Sequence, residues 1–102
     1  MSLIERRERV FSDISDERWH QIDKWGDPGH PDGTGSSIYE FMAGQYRGFC
    51  DRKPADKVTW LDILLEEVYE ALAETGRARL RGELVQVGAV VTAWIEDIDR
   101  RA

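Results

Sequence analysis

Three glutamates, Glu66, Glu67 and Glu70, interrupt an apolar helical run that reads Leu64-Leu65-Glu66-Glu67-Val68-Tyr69-Glu70-Ala71-Leu72. A carboxylate beside a packing face loses hydration, and a cation has to offset that loss. Steps of three and four place Glu67 with Glu70, and Glu66 with Glu70, on shared helical faces. A further acid, Glu83, opens the next apolar run thirteen residues after Glu70, and Gln86 follows one turn later. If the two runs fold back on each other, three carboxylates and one amide oxygen meet around a point. Such hard oxygen donors suit Mg²⁺ or Mn²⁺, and Mg²⁺ held by protein carboxylates usually serves a phosphate substrate. The competing reading is a solvated helix face whose acids pair with Arg77, Arg79 and Arg81.

The elements that must position these acids are helical. Nearly every apolar pattern steps by three or four, and little of the chain alternates as a strand does. The first stretch covers residues 3–25, with Val10, Phe11, Ile14, Ile22 and Trp25 near one face. N-cap formers at residues 12–16 allow a break and restart within it, and Gly26 is a natural stop. Residues 27–37 hold two prolines and three glycines, which forbid a regular element and make this a long loop. A second helix is expected over residues 38–52, where the four-residue spacing of Gly44 and Gly48 suits close approach by another helix. Thr59 is a good N-cap for the third, with Asp62 completing a capping box. Gly76 is read as its stop. The fourth helix is expected from residues 78–80 to about Arg100, and its middle is apolar nearly all round. A chain of 102 residues cannot cover such a helix alone, which favours burial against a second subunit.

The order Glu66-Glu67-x-x-Glu70, a spacer of twelve, then Glu83-x-x-Gln86 resembles the signature EExxE, spacer, ExxD of the MazG-like all-α NTP pyrophosphohydrolases. The text Glu17-Arg18-x-x-Gln21-x-x-Lys24-Trp25-Gly26, followed by His30-Pro31-Asp32-Gly33-Thr34, is similar to small phage and actinobacterial members of that superfamily. The two segments together span about three quarters of the chain. The resemblance implies an antiparallel bundle of four to five helices, all-α and oligomeric, a homodimer or homotetramer. It implies hydrolysis of a nucleoside triphosphate to monophosphate and pyrophosphate. The metal ligands it implies are Glu67, Glu70 and Glu83, with Gln86 where the family carries aspartate. Glu66 becomes an accessory acid, and Glu66 or Glu70 the group that takes the proton of an attacking water. Gln86 is a departure: an amide oxygen can ligate, but it supplies no charge, so metal affinity falls or one of two metals is lost. That departure motivates the alternative of a catalytically weak or inactive nucleotide-binding or helical interaction module. The run from Glu67 to Gly76 also echoes the box of the Nudix hydrolases. Leu65 stands where that box needs arginine, and the strands of its sandwich are missing.

Among the remaining residues, Lys24 and Arg18 are candidate phosphate contacts, and Trp19 and Trp25 candidate stacking partners for a base. His30 and Asp32 sit in the long loop, and Arg47 and Lys57 are cations without an assigned role. Bulk properties narrow the partners. The net charge is −6, which disfavours a binder of nucleic-acid polymers, although metal ions can still bring a phosphate substrate to an acidic protein. The hydrophobic fraction of 41% supports one small domain spanning residues 1–102. A single cysteine, Cys50, excludes an internal disulfide and fits a reducing compartment; a half-buried helical thiol is preferred to a nucleophile. With no signal peptide and no apolar run of membrane-spanning length, the expected location is the cytoplasm and no membrane partner is expected.

Overall fold

The computed structural model describes all residues 1–102 and is all-helical, without strands. Four α-helices follow in order: α1 (Leu3–Trp25), α2 (Ser37–Arg52), α3 (Trp60–Ala73) and α4 (Arg77–Arg101). A single 3₁₀ turn, Ala55–Lys57, lies in the connector between α2 and α3. The chain divides into two compact units, residues 33–91 and residues 1–32 with 92–102, so α4 contributes its first part to one and its last part to the other. No helix is long and apolar enough to cross a membrane.

The unit of residues 33–91 is built on α2 and α3, which run antiparallel. The backbone N–H of Gly35, just before α2, donates to the carbonyl of Leu72 near the end of α3 at 2.8 Å. At the other end, Lys53 Nζ donates to Asp62 Oδ2 in the first turn of α3, also at 2.8 Å. Between these ties Ala43 of α2 is buried, its small side chain suiting a close approach of the two helices. Tyr46 stacks on Tyr69 with ring centroids 5.7 Å apart and meets Phe49 edge-on at 5.2 Å, adding oriented aromatic contact to the seam. Gly44 and Gly48 do not make that approach. A Cβ on Gly44 would meet open space, and one on Gly48 would first meet Arg52 of its own helix.

The start of α3 forms as its sequence dictates. Thr59 Oγ1 accepts from the N–H of Asp62, and Asp62 Oδ2 accepts from the N–H of Thr59, a reciprocal box. The Lys53 ammonium, then these Thr59 bonds, hold the Asp62 carboxyl below the ordinary carboxylate range although the residue is only 3% exposed. The end of α3 differs from expectation. The helix stops at Ala73 because Glu74 takes an extended backbone, and Gly76 has no left-handed conformation. Gly76 instead offers its carbonyl to the N–H of Leu80 at 2.8 Å and so launches α4.

In the other unit, α1 is continuous. The N-cap formers at residues 12–16 lie on exposed turns, where each costs only a few tenths of a kcal/mol and does not break the helix. Ser2 and Glu5 close a capping box at its start, and Gly26 (φ 76°) ends it, donating its N–H to Ile22. Val10 is fully buried, and Arg7 pairs with Glu96 of α4 at 3.3 Å. Phe11, Ile14 and Trp25 of the expected apolar face are exposed.

Gly35 is the glycine with the firmest conformational requirement. Its φ of 97° disfavours any side chain, and a Cβ there would stand 3.0 Å from Thr75 Cγ2. Gly35→Ala is expected to destabilise the protein by about 1–3 kcal/mol through this backbone conformation and contact. The check is urea unfolding: the midpoint falls while the slope is unchanged.

Candidate metal centre

The acidic site forms where α3 turns back into α4. Residues 74–76 make so short a turn that the last turns of α3 face the first turns of α4. One carboxylate oxygen each from Glu67, Glu70 and Glu83 then lies within 4.8 Å of the others. All three residues are half-buried. Glu67 Oε2 and Glu83 Oε2 are fully shielded from solvent and have no hydrogen-bond partner. An unmet, shielded carboxylate oxygen is costly, and a small cation is one group that could meet the two in this acidic cluster.

The electrostatics follow from this geometry. Burial, then the charges of Glu70, Glu66 and Glu83, push the Glu67 carboxyl above the ordinary carboxylate range. Burial, then Glu70 and Glu74, push Glu83 in the same direction. Each acid is therefore harder to ionise here than in water. The donor set is oxygen only, clustered and partly desolvated, which fits a hard divalent cation such as Mg²⁺ or Mn²⁺ better than a thiophilic metal.

Glu70 already has a partner. Arg47 of α2 donates through Nη2 to Glu70 Oε1 at 3.0 Å. The carboxylate of Glu70, first by this hydrogen bond and then by its charge, with Glu66 and Asp51 adding to it, raises the Arg47 guanidinium above its ordinary value. Beside this pair opens a cavity of about 360 Å³ lined by Glu40, Ala43, Arg47, Glu70, Ala73, Glu74 and Glu83. Arg47 is the one basic residue of that lining. Its role was not legible in sequence, because a contact between residues of separate helices depends on how α2 packs on α3.

Glu66 is not one of the three clustered acids, though its charge reaches Glu67. It takes a hydrogen bond from the Cys50 thiol, which burial, and then this carboxylate, push up to about 11. A thiol held so far from ionisation is no nucleophile at neutral pH. Gln86, one turn beyond Glu83, is exposed.

Arg18, Trp19, Lys24 and Trp25 belong to the unit that contains α1. There Arg18 Nη1 donates to Gln21 Oε1 at 2.8 Å, and Lys24 Nζ lies 4.9 Å from the centre of the Trp25 ring. Trp19 is 62% exposed and Trp25 65%, so neither ring is core. His30 and Asp32 are exposed in the loop between α1 and α2. No protein-family model, curated protein or solved structure matches the chain.

Proposed function

We propose that this chain is a Mg²⁺-dependent nucleoside triphosphate pyrophosphohydrolase that converts (d)NTP and water to (d)NMP and pyrophosphate, with Mn²⁺ able to replace Mg²⁺. The observation that carries the reading is the convergence of Glu67, Glu70 and Glu83 across the α3–α4 turn, with two shielded oxygens unmet. The order of these acids and the text around Lys24 and Trp25, which resemble the MazG-like hydrolases, supply the reaction class.

Glu67, Glu70 and Glu83 would hold the cation, with the amide oxygen of Gln86 as a neutral fourth donor. When bound, the cation neutralises phosphate charge and acidifies water. Glu66 or Glu70 accepts the proton as water oxygen bonds to the α-phosphorus and the bond to the bridging oxygen breaks, releasing pyrophosphate. Within the unit that contains α1, Lys24 and Arg18 are the candidates for phosphate contact and Trp19 and Trp25 for stacking a base. Cys50 takes no part. Exposed Leu84 and Val85 on α4 favour cover by a second copy, as a homodimer or homotetramer.

A panel of NTPs and dNTPs with Mg²⁺ tests this reading. Purified protein is expected to release pyrophosphate, detected by its conversion to phosphate only when inorganic pyrophosphatase is added. Direct release of single phosphate, or no turnover with Mg²⁺ or Mn²⁺, overturns it. One observation favours the alternative of a weak or inactive nucleotide-binding or interaction module: Gln86 is neutral and exposed. Nucleotide binding in calorimetry without hydrolysis would select that alternative.

A further inference from the structure

Arg47 and a divalent cation would draw on the same carboxylate, that of Glu70. The guanidinium sits 3.0 Å from Glu70 Oε1, and Glu70 is one of three acids whose oxygens lie within 4.8 Å of one another. Two positive charges on one carboxylate repel, so a cation held by Glu70 loosens Arg47, and Arg47 held by Glu70 weakens the cation.

The pair is suited to exchange. The Arg47 side chain is about half exposed, and a partly exposed ion pair is weak enough to open. The freed guanidinium would remain at the wall of the adjoining cavity. That cavity carries Glu40, Glu70, Glu74 and Glu83, so an anionic chain entering it meets four carboxylates and needs positive charge on its far side. A guanidinium presents a planar fork of donors that matches phosphate oxygens two at a time.

We propose that Arg47 is an exchangeable counter-ion: it neutralises Glu70 in the metal-free protein, releases Glu70 to the cation, and then holds a phosphate of the incoming nucleotide. The proposal rests on the metal-centre reading above and assigns its phosphate-binding side. It has a thermodynamic consequence. Phosphate that engages Arg47 removes the cation's competitor, so nucleotide and cation each tighten the binding of the other.

The test is calorimetry of the full chain with Mn²⁺ alone, and with an α,β-methylene nucleoside triphosphate at saturating Mg²⁺, on the wild type, Arg47→Gln and Arg47→Lys. Arg47→Gln is expected to bind Mn²⁺ alone about three- to tenfold more tightly, because the competitor is gone. The same variant is expected to bind the analogue at least tenfold more weakly. Arg47→Lys keeps the charge but not the fork, so its Mn²⁺ affinity stays near wild type while analogue binding still weakens. Opposite signs for the two ligands are what a residue merely bracing α2 against α3 would not give. The proposal is overturned if either change is missing in Arg47→Gln or has the other sign. If the wild type itself binds no Mn²⁺, the metal reading fails and takes this one with it. If the wild type binds Mn²⁺ and cleaves nucleotide while Arg47→Gln matches it in both titrations, only the role of Arg47 fails.

Discussion

Glu67→Gln is expected to make the metal-free protein more stable and the enzyme inactive. The carboxylate of Glu67 has one oxygen shielded from solvent without a partner, and Glu66, Glu70 and Glu83 crowd it. Replacing it by an amide of nearly the same shape removes an ionised group from that position. The gain is about 1 kcal/mol after allowance for solvent screening, a few degrees in Tm for a chain of this size. The pH dependence fixes the sign. Burial raises the folded-state pKa of Glu67 above its unfolded value of about 4.3. Between the two values the folded state holds more protons than the unfolded state, so stability falls as pH rises through that window. Above the folded value the penalty is complete. Metal-free wild type should therefore gain stability from this group as pH drops through the folded-state value toward the unfolded one, and Glu67→Gln should lose part of that gain. Divalent cation reverses the ranking. At a concentration a hundred times its Kd, a ligand binding only the folded state adds about 2.7 kcal/mol. The wild type should show a rise of that kind with Mn²⁺ and the variant little of it. Turnover should drop at least a hundredfold, the scale on which a lost charge-stabilising group acts. Thermal melts with EDTA and with Mn²⁺, between pH 5 and 8, check all of this. A variant that melts lower than wild type and still responds to Mn²⁺ would make Glu67 a structural acid.

This opposition between stability and function explains why the acids were legible in sequence and Arg47 was not. Glu67, Glu70 and Glu83 are each half-buried, and ionisable groups at the margin of an apolar stripe stand out against the ordinary pattern of a helix. Their convergence follows from chain connectivity, because a turn of three residues leaves α4 nowhere to start except beside the end of α3. The pairing of Arg47 with Glu70 depends instead on which face α2 turns to α3. That face is set by Ala43 and the ring of Tyr46 stacked on Tyr69, neither of which announces its partner in sequence. The same distinction runs through the helices. The start of α3 was readable because Thr59 and Asp62 act on each other locally. Its end was not, since Gly76 has the composition of a C-terminal stop but serves α4 through its carbonyl. The apolar face expected of α1 buries Val10 while leaving Phe11, Ile14 and Trp25 in water, so periodicity located the helix without telling which of its large side chains find cover.

Gln86→Asp is the substitution with the largest expected gain of function. Gln86 follows Glu83 by one helical turn, a spacing that brings side chains on α4 within about 5–6 Å. A new carboxylate that came within about 5–6 Å of a cation held by Glu83 would gain, at an effective dielectric constant of about 20, roughly 3 kcal/mol per unit of cation charge. Exposure of the residue and ionic screening reduce this, and the acids at residues 67, 70 and 83 repel the newcomer when no cation is present. The net expectation is Mn²⁺ binding tightened about tenfold or more, with turnover at low cation concentration rising in step. The metal-free protein should become slightly less stable, because one more charge joins a cluster that already resists ionisation. Gln86→Ala supplies the control. If the amide oxygen is a donor, its loss weakens cation binding several-fold; if the three glutamates and water suffice, Ala and Gln bind alike and only Asp differs. Calorimetric titration of Mn²⁺ into the three proteins, with pyrophosphate release measured across a range of Mg²⁺, reads both quantities. Unchanged affinity in Gln86→Asp would place the cation away from the first turns of α4, and the charge at Glu83 would then need another explanation than metal capture.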